Sequence, residues 1–151
     1  MKMASTCGEG FSMERRKRVL FVCIENSCRS QMAEALAFLY ARDLIQAYSA
    51  GSRPSGSINP KAIAAMAELG YGLDSHTSKS LLEIPLIAYD YVITMGCGDE
   101  CPFVQAEFHE DWEIPDPKML PMDQFRQVRD QIGARIKELA ARIEAGNHAN
   151  K

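Results

Sequence analysis

Apolar residues along this chain follow two rhythms that alternate. Residues 19–24 (VLFVCI) are an unbroken apolar run between Arg18 and Glu25, the pattern of a strand covered on both faces. From Ser30 the spacing changes. Met32, Ala35, Leu36, Leu39 and Tyr40 recur every three or four positions and predict an amphipathic helix to about Arg42. Residues 45–49 make a short second strand that ends at Gly51. The segment RPSGS is a loop. After it, Asn59 is placed to cap a second helix and Pro60 to open it; Ile58, Ile63, Met66 and Ala67 form its apolar face and Gly70 ends it. YDYVITM (89–95) is a third strand, stopped by GCGDEC. A fourth strand is expected at 108–114, where PDP breaks it. Phe125, Val128, Ile132, Ile136, Leu139 and Ile143 form the longest helical stripe, with Gly146 beyond it.

Strands alternating with helices predict an α/β fold: a four-stranded parallel sheet with helices on both faces and flavodoxin-like winding. In such sheets ligands sit beyond the carboxyl ends of the strands, near the switch point. Three chemically loaded segments fall there: CIENSCRS, GCGDEC and PDP.

With 151 residues, the chain is expected to form one domain over 17–146, preceded by an extension (1–16) and followed by a tail (147–151). Met13 is an alternative start within that extension. A hydrophobic share of 46% with 25% charged residues is ordinary for a soluble protein. A formal net charge of −3 offers no basic field for nucleic acid or anionic membrane. No apolar run nears the roughly 20 residues that span a bilayer. The first residues carry charge but no apolar core, so they do not read as a secretory signal. Five cysteines without such a signal point to a reducing compartment, the cytoplasm, and to catalytic, redox or metal-binding roles. Cys7, in the extension, reads as a bystander.

Between Cys23 and Arg29 lie Ile24, Glu25, Asn26, Ser27 and Cys28, enough chain to curl around one tetrahedral anion. Backbone N–H groups and the following helix's N-terminus would face the anion. Arg29 supplies a planar, permanently charged fork for two of its oxygens. The same field stabilises a thiolate, and cysteines in comparable sites titrate at roughly 3.5–7.5. Ser30 is placed to donate to the sulfur, and Asn26 to hold the loop's shape. The competing reading is a strand-end cysteine beside an unrelated arginine; the position between strand and helix weighs against it.

VLFVCIENSCRSQMAEAL resembles the active-site signature of the low-molecular-weight tyrosine phosphatase superfamily, which includes the thiol-dependent arsenate reductases. The likeness runs on through SAGS, NPKAIAAMAELG, HTSKSL, DYVITM and WEIPDP, from Arg18 to about Leu139. It implies Cys23 as nucleophile, Arg29 as oxyanion ligand and Asp116 as general acid. Apolar surroundings would suit Asp116 to that role; taken alone it would read as a turn aspartate before Pro117.

Within the superfamily two details lean toward reduction. Gln31 follows CRS where the phosphatases carry Pro, and KML follows Asp116-Pro117 in place of paired tyrosines that would stack on an aryl substrate. The resemblance further implies a thiol relay. Cys23 would form an adduct with arsenate, Cys97 would attack Cys23, and Cys101 would attack Cys97, leaving a disulfide for thioredoxin or glutaredoxin to reduce. Phosphate and sulfate would act as substrate analogues. Only three residues separate Cys97 from Cys101, fewer than is common in the thioredoxin-coupled group, which leaves the reductant open. A zinc site at Cys97 and Cys101, completed by His76 or His109, and two inert thiols are the competing readings. Cys28 would either form a local disulfide with Cys23 or pack. No tightly bound cofactor is expected. Asn26, Glu34, Ser49 and Asp74 match positions that hold a monovalent cation such as K+ in some family reductases, against a reading of Glu34 and Asp74 as solvated carboxylates. A phosphatase using Cys23, Arg29 and Asp116 alone and a non-catalytic anion-binding regulator stand as alternatives.

Overall fold

In a computed structural model that describes residues 15–96 and 102–146, four strands form one sheet. The strands are β1 (Lys17–Cys23), β2 (Ile45–Gly51), β3 (Tyr89–Thr94) and β4 (Ala106–Asp111); the α-helices are α1 (Arg29–Ala41), α2 (Pro60–Ala67) and α3 (Met122–Glu144). The order across the sheet is β2-β1-β3-β4 and every pairing is parallel. The chain moves from β1 to β2 on one side and then returns past β1 to β3, so the switch point lies between β1 and β3. Cys23 ends β1 at that point.

Alternation along β1 separates two apolar clusters. Val19 and Phe21 join one that gathers Met32 and Leu36 of α1, Ala62 and Met66 of α2, and the whole expected stripe of α3 from Phe125 to Ile143. Leu20, Val22 and Val92 face the other way, against Ile84, Leu81, Ile87 and Val104. Helices were expected on both faces. Among the described residues the second face is covered instead by irregular chain around 81–87 and by Val104. Apolar side chains suffice for that cover, because the strands below already satisfy one another's backbone groups.

Asn59 caps α2 as its position implies: its side-chain oxygen accepts from the Lys61 N–H at 2.8 Å, with Pro60 at the first position. The fourth strand starts and stops earlier than expected. Trp112 N–H still bonds Thr94 O at 2.9 Å, but Glu113 then takes φ of 52°, a left-handed conformation that turns the chain off the ladder. Two residues assigned to the N-terminal extension are held. Arg15 pairs with Asp90 at 3.0 Å, and Arg16 donates to Arg42 O at 3.1 Å. The rest of that extension and the tail lie outside the described residues.

Candidate active site

The loop from Cys23 to Cys28 is shaped from outside. Cys23 O, Ile24 O, Glu25 O and Ser27 O accept from the N–H groups of Ser52, Arg53, Ser55 and Asn59 at 2.8–3.2 Å. In a trans peptide the N–H points away from its carbonyl. Tying these four carbonyls outward therefore turns the amides of Ile24, Glu25, Asn26 and Cys28 inward. Asn26 N–H indeed donates to Cys23 Sγ at 3.3 Å. Asn26 adopts φ of 51°, which asparagine tolerates better than most residues. Among the described residues no side chain caps α1, which leaves the N–H groups of its first turn facing the loop.

A chain of side chains continues from the sulfur. Ser30 Oγ lies 2.8 Å from Cys23 Sγ and accepts from Asn26 Nδ2 at 2.7 Å. Asn26 Oδ1 must be the acceptor atom, since the Lys79 backbone N–H donates to it at 2.9 Å. Gln31 Nε2 donates to the same oxygen at 2.8 Å and to Thr77 O at 2.9 Å. That fixes Gln31 Oε1 as the acceptor facing His76 Nδ1 at 2.9 Å, and Tyr71 OH meets His76 Nε2 at 2.6 Å. Burial pulls His76 below its ordinary value, against the opposing Glu34 carboxylate. The donors run one way, from Tyr71 through His76, Gln31, Asn26 and Ser30 to the sulfur.

Arg29 is buried and shared between protein and pocket. Its Nη1 donates to Met95 O at 2.7 Å and to Ile114 O at 3.0 Å, while Nη2 stands 3.9 Å from Asp116 Oδ2. The expected fork onto two substrate oxygens is thus narrowed, because Nη1 is held by backbone at the ends of β3 and β4. Above the loop is a cavity of about 150 Å³ whose walls are Arg53, Asp116 and Lys118, with Cys23, Cys28 and Arg29 among the residues lining it. Among the described residues no aromatic ring lines it. Lys118 Nζ grips the Glu25 carboxylate at 3.0 and 3.1 Å, joining the loop to the segment after Asp116. Asp116 is not in apolar surroundings: its side chain is 56% exposed, faces Arg29, and accepts from Lys118 N–H at 3.1 Å. The turn aspartate and the pocket-wall aspartate are one residue.

Cys28 is buried, and loss of solvation pushes its thiol up to about 11 despite the Ser27 hydroxyl beside it. Cys97 and Cys101 lie outside the described residues, as does Cys7. The four residues matched to a cation site do not form its shell. Ser49 Oγ donates to Glu34 Oε1 at 2.6 Å, but Asn26 Oδ1 is already filled by two N–H donors and Asp74 is exposed on the short turn Leu73–Ser75. Among the described residues no group of three or more His, Cys, Asp or Glu could hold a metal. K+ therefore does not fit these residues as they stand. Sequence reasoning missed Arg53, Lys118 and Tyr71, and weighed His76 only as a zinc ligand. The two cations at least sit beside recognised segments, in SAGSR and directly after PDP.

A buried thiol, inward amides, a helix start and a guanidinium thus meet at the switch point of the parallel sheet. The chain belongs to the low molecular weight phosphotyrosine protein phosphatase family, whose model matches residues 18–149. It is 40% identical over 130 residues to the glutaredoxin arsenate reductase of a Synechocystis species, covering 84% of this chain and 98% of that one. It is similar to a solved arsenate reductase in a phosphate-binding state, with 39% identity, a TM-score of 0.75, and 84% and 98% coverage. A thioredoxin-dependent arsenate reductase from Corynebacterium glutamicum gives 34% identity and a TM-score of 0.72, over 89% of this chain and 65% of that one.

Proposed function

We propose that this protein reduces arsenate to arsenite by a three-cysteine relay. The observation that carries the reading is the geometry at Cys23: two donors converge on its sulfur at the foot of a small, charged cavity that no aromatic ring among the described residues lines. That cavity suits a bare tetrahedral oxyanion better than an aryl ester. The arsenate reductases of Synechocystis and Corynebacterium glutamicum support the choice.

The Cys23 thiolate attacks arsenic(V), an oxygen leaves as water, and Asp116 on the pocket wall supplies the proton. Arg29 Nη2 and the inward amides hold the remaining oxygens. Cys97 then attacks Cys23. The S–S bond forms, the S–As bond breaks, and its electron pair stays on arsenic, which departs as arsenite. Cys101 displaces Cys23 from Cys97, and a dithiol protein of the thioredoxin or glutaredoxin class reduces the resulting pair. The Synechocystis relative is a glutaredoxin arsenate reductase and the Corynebacterium glutamicum one is thioredoxin-dependent, so both donor classes occur among its relatives. A reducing cytoplasm is the setting such thiols require. No helix among the described residues is long and apolar enough to cross a membrane.

The test is Cys97→Ser. Multiple-turnover arsenate reduction should vanish while hydrolysis of a small aryl phosphate persists. Arsenate reduction at the parental rate in this variant would overturn the relay.

A further inference from the structure

Between β4 and α3 the chain passes the cavity as irregular backbone. Residues 112–117 belong to no strand or helix. Arg29 Nη1 holds Ile114 O at one end of this span, at 3.0 Å, and Lys61 Nζ holds Leu120 O at the other, at 2.7 Å. Pro115 and Pro117 each fix their own φ and donate no hydrogen bond, so Asp116 sits on a stiff segment. A stiff segment held at its ends can still tilt toward the anion loop or away from it.

Lys118 ties its middle. Lys118 Nζ meets both oxygens of the Glu25 carboxylate, at 3.1 and 3.0 Å, while its backbone N–H donates to Asp116 Oδ1 at 3.1 Å. One residue thus grips the acid through its backbone and the anion loop through its side chain. Glu25 is anchored in turn, its carbonyl accepting from Ser55 N–H and from Ser78 Oγ, each at 3.0 Å. Glu25, Asp116 and Lys118 all line the cavity above Cys23.

We infer that Lys118 is a positioning residue for the first chemical step, bracing Asp116 against the Cys23 loop through Glu25. The role rests on Asp116 being the proton donor of the proposed reduction. In that step the S–As bond forms and an As–O bond breaks. The leaving oxygen takes the Asp116 proton and departs as water, and arsenic stays at V. A phosphate ester makes the same demand: the S–P bond forms, the ester P–O bond breaks, and the proton goes to the departing aryloxide. Water then cleaves the S–P bond and returns a proton to Asp116. The side chains of Lys118 and Glu25 exchange no proton in either reaction.

The leaving group reports how well the acid is placed. A 4-nitrophenolate departs readily without a proton, whereas phenolate needs one. The experiment measures kcat/KM of the full chain for 4-nitrophenyl phosphate and for phenyl phosphate, in the parent, Lys118→Met and Glu25→Gln. The two constants come from one sample, so their ratio does not depend on how much of a variant is folded. Lys118 and Glu25 are 47% and 38% exposed, and an exposed pair holds its geometry only modestly. Each variant should therefore raise the ratio of the 4-nitrophenyl to the phenyl constant by about three- to fivefold. A role through cavity charge alone gives another pattern. Losing the Lys118 cation would weaken both esters alike, losing the Glu25 anion would favour both alike, and the ratio would stay parental. A parental ratio in either variant overturns the inference. Asp116→Asn should raise the ratio further than both; a parental ratio there would remove Asp116 as the acid, and the bracing role with it. Failure of the relay looks different, because neither ester requires Cys97: the ratios would shift as expected in a protein that never joins Cys23 to Cys97.

Discussion

The Ser30 hydroxyl lies 2.8 Å from the Cys23 sulfur, with its oxygen already accepting from Asn26 at 2.7 Å. When Cys23 is a thiolate, the hydroxyl proton is the one donated to the sulfur. A hydrogen bond to a charged group contributes about 1.5–3 kcal/mol. Ser30→Ala should lower the rate of Cys23 alkylation at neutral pH and of adduct formation with arsenate, by about 10–100-fold. Peptide-level mass spectrometry of iodoacetamide-treated protein reads the first. An unchanged rate would show that the hydroxyl serves only to hold Asn26.

Arg29 bridges Met95 O and Ile114 O while facing Asp116, a geometry that needs a planar head with several donors. Arg29→Lys keeps the charge but cannot hold both carbonyls and an oxyanion together. Inhibition constants for phosphate and arsenate should rise by about tenfold or more. Constants equal to the parent's would mean that charge alone suffices.

A Cβ on Gly51 would stand 2.6 Å from Ile24 O and 2.9 Å from Asn26 N. The neighbours are backbone and cannot swing aside. Gly51→Ala should cost about 1–3 kcal/mol of stability and weaken phosphate protection of Cys23. Denaturant midpoints and the alkylation assay check the two effects, and a variant parental in both would refute the close approach.

His76 gives a pH dependence with a definite sign. Its unfolded value is about 6.5, and in the fold burial lowers it, Glu34 opposing and Lys79 reinforcing the shift. The unfolded chain therefore takes up the proton first as pH falls. Stability from neutral His76 is full above about 6.5 and is lost as pH falls through the lowered value. Protonation also removes the Nε2 acceptor for Tyr71. Between about pH 6.5 and 5, above the usual carboxylate range, the thermal midpoint should fall further in the parent than in His76→Gln. Equal slopes would remove His76 as the cause.

Local rules made much of this readable. The α3 stripe from Phe125 to Ile143 is buried throughout, and Asn59 and Pro60 open α2 because capping involves neighbours in sequence. Cys23 and Arg29 were legible for the same reason, being six residues apart. What stayed hidden depends on distant pairing. β1 begins at Lys17, whose charged head says nothing of its backbone register with Ile45. Gln31 meets His76 across 45 positions, and Arg29 meets Ile114 across 85. The apolar setting anticipated for Asp116 failed because Pro115 and Pro117 say nothing of Lys118 and Arg29 closing on it. The cation set failed because Lys79 N–H and Gln31 occupy the oxygen of Asn26.

The outward ties of the Cys23–Cys28 carbonyls have a consequence for engineering. A seven-residue stretch is commonly treated as a portable cassette. Here its curvature is imposed by the segment around Ser52–Asn59, which belongs to a different crossover. Transplanted alone into another scaffold, CIENSCR would carry its thiol and its charge but not the mould that points its amides at a guest.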